Sequence, residues 1–162
     1  MPLTPKVNAQ THLVVSVVPG SAEWGPESND LDEAYARQIF YGKSIEETFP
    51  LFARSVVERA SEIRFMPLAV LPYYLMAFRD YVLLDSTRRD DDAPDAASCF
   101  IGLVSERLEN QPQIVCPMMD EIRPALKYLA QHQADYDADT DIYGDFEKKV
   151  AEIERRAAAC PT

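Results

Sequence analysis

Hydrophobic positions along the chain recur mostly at intervals of three and four, the period of a helix that buries one face. The clearest run is Leu71, Leu75, Phe78 and Val82, widened by Tyr74, Ala77, Tyr81 and Leu84 into a stripe broad enough to predict a central helix. Phe100, Leu103, Val104 and Leu108 repeat the pattern behind Pro94, whose fixed φ suits the first turn of a helix reaching about Asn110. A further helix is predicted from the connection between Pro112 and Pro117 to about Tyr136. It is disturbed by Pro124 and packs through Leu126, Leu129 and Ala130. The last, capped by Thr140, carries Ile142, Phe146, Val150, Ile153 and Ala157.

Polar and turn-forming residues punctuate the first half. Asp30 followed by Glu33 predicts a helix start, and Gly42 after Phe40-Tyr41 its end. Ser44-Ile45-Glu46-Glu47 is a capping box, in which the serine oxygen accepts the Glu47 amide and the glutamate reaches back to the serine amide. Pro50 is expected to break that helix or to restart it. Met66-Pro67 opens the central helix, with Pro72 kinking it or splitting off a short first piece.

One segment departs from the helical period. Leu13–Val18 is a β-branched run closed by Pro19-Gly20, and reads as an extended strap on the helices, the alternative being an edge that pairs with another chain. The pattern as a whole predicts an all-α fold, a bundle of about five or six helices with an N-terminal extended segment. A single domain over residues 1–162 is expected, with residues 1–12 as a loose arm and the polar stretch 85–95 as an acidic loop.

Charge changes the picture from fold to partner. The net charge is −11, and it is uneven: residues 1–84 hold 10 acids against 7 bases, residues 85–162 hold 17 against 9. Such a field repels nucleic acid and anionic lipid and steers basic partners inward. Direct nucleic-acid binding is not expected on that ground. The apolar stretches are far shorter than the ~20 residues a membrane-spanning helix needs. The N-terminus lacks a cationic start followed by an apolar run, so a cytoplasmic location is expected. Cys99, Cys116 and Cys160 are odd in number, widely spaced and without a C-x-x-C motif, and are expected as reduced thiols.

Chemistry-bearing motifs fail on named residues. Gly42-Lys43-Ser44 resembles the end of a phosphate-binding loop, but Arg37 stands where its first glycine belongs. Asp135, Asp137, Asp139 and Asp141 alternate like calcium ligands. Counted from Asp135, however, Thr140 replaces the turn glycine and Phe146 the bidentate glutamate; counted from Asp137, Ile142 and Lys148 stand there. His12 and His132 accompany no nucleophile motif. Nine of the sixteen aromatic residues lie between Phe40 and Tyr81 and are expected as core. No catalytic residue, cofactor or metal is assigned.

Val18-Pro19-Gly20, Phe40-Tyr-Gly-Lys43, Phe65-Met-Pro67 and Tyr73-Tyr-Leu-Met-Ala-Phe78 occur in an order that resembles a group of small uncharacterised bacterial helical domains, over about residues 18–84. The resemblance implies a bacterial source and a helical fold, and supplies no catalytic residues.

The expected function is therefore a non-enzymatic acidic protein-binding domain, most concretely an immunity-type protein that neutralises a basic toxin or effector. Its partner-binding residues are expected to be Asp90, Asp91, Asp92, Asp135, Asp137, Asp139, Asp141 and Asp145. The alternative is a small-molecule- or cation-binding domain, or an enzyme, with a pocket in the aromatic cluster.

Overall fold

The computed structural model describes residues 17–162. The chain is all-helical, with no strand among the described residues. Its longer helices are α1 (Leu31–Phe40), α2 (Ile45–Arg54), α3 (Val56–Arg64), α4 (Leu71–Val82), α5 (Ala93–Asn110), α6 (Met119–Gln131) and α7 (Phe146–Ala157). Single helical turns link several of them. Of the strap expected at Leu13–Val18, residues 13–16 lie outside the described residues. Val17 is exposed and Val18 packs against the core.

Local chemistry sets the first boundaries. The Asp30 carboxylate accepts the amides of Asp32 and Glu33 at 2.9 and 3.1 Å and so starts α1. Gly42 ends the turn at φ +75°, in the left-handed region that glycine enters without a Cβ penalty. The reciprocal Ser44–Glu47 box then starts α2. Pro50 neither breaks nor restarts that helix. It stands sixth, so only the hydrogen bond to the Glu46 carbonyl is lost, and the break comes at Ser55, whose backbone turns extended. The break sets off α3, so the second helix that a restart at Pro50 would have opened begins at Val56 instead. Pro124 is accommodated likewise as the sixth residue of α6.

The central helix is where the pattern placed it. Pro67 initiates a separate turn through Val70, and Pro72 falls in the first turn of α4. Nine of its twelve residues are buried, Pro72, Arg79 and Asp80 being the others. It packs on α2, α3, α5 and α6. A run of aromatic contacts passes through it: Tyr74 meets Phe40 at 4.9 Å between ring centres, Phe52 stacks on Phe78 at 4.9 Å, and Phe78 meets Phe100 edge-on at 5.5 Å. Each such pair adds about 0.5–1.5 kcal/mol beyond area burial, so these rings serve as core. Tyr41 and Phe65 are the exposed members of the cluster.

Tyrosines of α4 also hold the α1–α2 link. The Tyr74 hydroxyl sits between the carbonyls of Phe40 and Lys43, at 2.6 and 3.0 Å, and the Ile45 amide donates to the Tyr73 hydroxyl at 3.1 Å. Of the amides at Gly42-Lys43-Ser44 that a phosphate would need, that of Lys43 donates to the Phe40 carbonyl at 3.0 Å and that of Ser44 to the Glu47 carboxylate at 2.9 Å.

Two sequence expectations are corrected. The stretch 85–95 is not an open loop: Asp85–Arg88 forms a helical turn, fastened by the Thr87 hydroxyl on the Tyr81 carbonyl at 2.6 Å. The cysteines are not all free thiols either. Cys116, in the turn before α6, forms a disulfide with Cys160, just beyond α7, while Cys99 is unpaired. Packing of α7 against α5 and α6 brings the two sulfurs together across 44 residues, a proximity no local pattern encodes.

Candidate acidic docking surface

The predicted partner-binding acids lie in two stretches, Asp90–Asp92 and Asp135–Asp145, and the fold brings them to the same end of α5. The first stretch turns directly into that helix. The Asp90 carboxylate accepts the Asp92 amide at 2.9 Å, and Pro94 occupies the opening turn as predicted. Asp91 and Asp92 are exposed.

The second stretch is shaped by Gln133. α6 ends at Gln131, not at Tyr136, because His132 leaves helical backbone angles and a tight 3-10 turn follows through Tyr136. Within that turn the Gln133 side-chain amide donates to the carbonyls of Ala138 and Gly144, at 2.9 and 2.7 Å. Its oxygen accepts the Phe146 amide at 2.9 Å. One side chain thus fastens both limbs of the loop. Asp137 takes a left-handed conformation at φ +55°, which a short polar side chain tolerates.

Two acids of this loop act as helix caps, where Thr140 alone was expected. Asp139 accepts the Asp141 amide at 2.8 Å and starts the turn Thr140–Tyr143; Asp145 accepts the amides of Glu147 and Lys148 and starts α7. Each such cap contributes about 1 kcal/mol. The extra turn removes Ile142 from the buried stripe and leaves it 75 % exposed, whereas Phe146, Val150, Ile153 and Ala157 pack inward as predicted.

Two tyrosines dock the loop. The Tyr136 hydroxyl donates to the Val82 carbonyl at 2.5 Å, and the Tyr143 hydroxyl to the Asp95 carboxylate at 2.9 Å. The Asp95 hydrogen bond, partial burial and the charge of Asp92 all raise the Tyr143 pKa above its ordinary value, placing that tyrosine within the field of the first acidic stretch. Arg88 is engaged by Asp85 and by the Tyr128 hydroxyl.

The eight predicted residues therefore divide. Asp90, Asp139 and Asp145 spend their carboxylates on local backbone. Asp91, Asp92, Asp135, Asp137 and Asp141 are exposed, with carboxylates that accept no hydrogen bond among the described residues. Asp95 and Gln133 escaped sequence reading. Asp95 could have been noted as an acid one residue after a first-turn proline, but nothing in the sequence marks Gln133.

The surface can attract cations of a partner, yet among the described residues no three His, Cys, Asp or Glu side chains are grouped to hold a metal ion. The His132 ring stacks on Tyr128 at 4.0 Å, with its Nδ1 2.8 Å from the Tyr128 carbonyl oxygen. No helix among the described residues is long and apolar enough to cross a membrane. The chain matches no protein-family model, no curated protein and no solved structure.

Proposed function

We propose that this chain is a non-enzymatic protein-binding domain that docks the acidic end of α5 on a basic partner. Its most concrete form is a bacterial immunity-type protein neutralising a toxin or effector. The observation that supports it is that five exposed carboxylates, accepting no hydrogen bond among the described residues, lie in two distant stretches that the Tyr143–Asp95 contact joins. A cluster of that kind raises encounter rates with a basic protein and loses strength as salt screens it over a Debye length of about 10 Å at 0.1 M.

Compartment enters through the disulfide. Cys116–Cys160 is a bond suited to oxidising surroundings, so within this proposal an oxidising location replaces the expected cytoplasmic one. Counting free thiols in protein taken from its native host checks that part.

Affinity capture from that host, repeated at rising salt, tests the reading. The expected result is a basic protein whose complex weakens with salt and is lost in a variant carrying Asp91→Lys, Asp135→Lys and Asp141→Lys. These positions are exposed and cap no helix, so the variant keeps its fold. A native partner that binds the triple variant with unchanged affinity overturns the proposal.

A further inference from the structure

A second surface lies toward the other end of the molecule. α1 and α3 pack side by side and leave a recess of about 260 Å³ lined by Asp32, Tyr35, Glu58, Ser61, Glu62 and Phe65. On α3 the lining residues fall at the spacings of a single helix face. Tyr35 and Phe65 are 49 % and 41 % exposed, and beside them Leu31 and Val57 are 84 % and 52 % exposed. Exposed apolar side chains on two adjoining helices, two of them lining one recess, suit a contact surface.

The charges of the recess are of one sign apart from Arg59. That guanidinium is itself buried and already engaged by Glu62, Nη2 to Oε1 at 2.7 Å, and by Glu58 at 3.3 Å. Asp32, Glu58 and Glu62 against this one cation leave two negative charges uncompensated beside two exposed aromatic rings. Aromatic faces and carboxylates have one side-chain complement. The arginine guanidinium stacks flat on rings and forks onto carboxylate oxygens, and it sheds water more readily than a lysine ammonium.

We propose that the recess between α1 and α3 receives an arginine side chain of a basic partner protein, set against the rings of Tyr35 and Phe65 with Asp32 and Glu58 as its acceptors. This site is independent of the acidic end. Arg64, immediately before Phe65, pairs with Glu106 at 2.9 Å in the C-terminal half of α5, whereas the acidic surface surrounds that helix's N-terminus.

Amide chemical-shift mapping on the full chain tests it, with N-acetyl-arginine amide as probe and N-acetyl-citrulline amide as its uncharged isostere. The expected result is saturable shifts confined to residues around Tyr35, Glu58, Ser61 and Phe65. Citrulline amide should bind at least about fivefold more weakly. Phe65→Leu should weaken the arginine probe roughly three- to tenfold, and Asp32→Asn with Glu58→Gln should abolish its binding. The acidic-end variant Asp91→Lys, Asp135→Lys, Asp141→Lys should bind the probe as before, which separates failure here from failure of the docking reading. Absence of saturable shifts, equal binding of citrulline amide, or shifts that persist in the Asp32→Asn, Glu58→Gln variant would overturn it.

Discussion

The Tyr143 hydroxyl donates to the Asp95 carboxylate at 2.9 Å, joining the loop before α7 to the first turn of α5 across 48 residues. This contact ties the two acidic stretches to each other, although like charges alone would push them apart. The hydrogen bond, the Tyr136 anchor on Val82 and the Gln133 clamp together hold the loop against that repulsion.

Tyr143→Phe is therefore expected to cost about 1 kcal/mol of unfolding free energy and to speed amide exchange across 137–145. The effect depends on pH in a defined direction. Because the folded-state pKa of Tyr143 is raised, its contribution is complete below the ordinary tyrosine value and is lost as pH climbs through the higher folded one. Urea titrations of both proteins at neutral and strongly alkaline pH should show the difference shrinking in alkali.

Removing one hydroxyl from the core should cost more. The single Tyr74 O–H is shared between two carbonyls at the α1–α2 link, closer to that of Phe40, and its own pKa is pushed far above the usual phenol range by burial. Tyr74→Phe keeps the ring contacts but leaves the Phe40 carbonyl buried without that partner. A loss of about 1–3 kcal/mol is expected, read by chemical denaturation.

Arg59 and Glu62 form a buried pair whose acid behaves opposite to most paired carboxylates. Burial raises the Glu62 pKa more than Arg59 lowers it. Stability from Glu62 is thus fully present below the ordinary glutamate value and is lost as pH rises through the elevated folded one. Arg59→Met should raise that pKa further, visible by carboxyl NMR. It should cost about 3–5 kcal/mol at neutral pH and less in mild acid, where Glu62 takes up a proton. An equal loss at both pH values would contradict this account.

Reduction of Cys116–Cys160, or Cys160→Ser, should lower stability by about 2–4 kcal/mol, since the bond closes a long loop in the unfolded chain. Thermal melts with and without a reductant measure it. Cys160→Ser itself should not respond to reductant.

Features written within a few neighbouring residues were legible in the sequence. The Asp30 cap, the Ser44–Glu47 box, the stop at Gly42 and the first-turn proline at Pro94 all appear where the pattern put them, because each depends on a backbone amide or dihedral close by. The stripe from Leu71 to Val82 also determined its own burial, since a face that broad has to be covered. The start of α7 was less legible. Thr140, Asp139 and Asp145 are all competent caps, and only the hydrogen bonds of Gln133 select Asp145.

The sequence by itself thus determined an acidic, helical chain with a central helix and its main punctuation. The tertiary structure alone decided that Cys116 meets Cys160, that Tyr143 reaches Asp95, and that Tyr35 and Phe65 stand beside the same recess. The physical reason is range. Caps, turns and amphipathic stripes arise from interactions within a turn or two of helix, whereas disulfides, docked loops and shared recesses depend on which helices pack together. That choice comes from the summed burial of the whole core and leaves no mark at the residues it brings into contact.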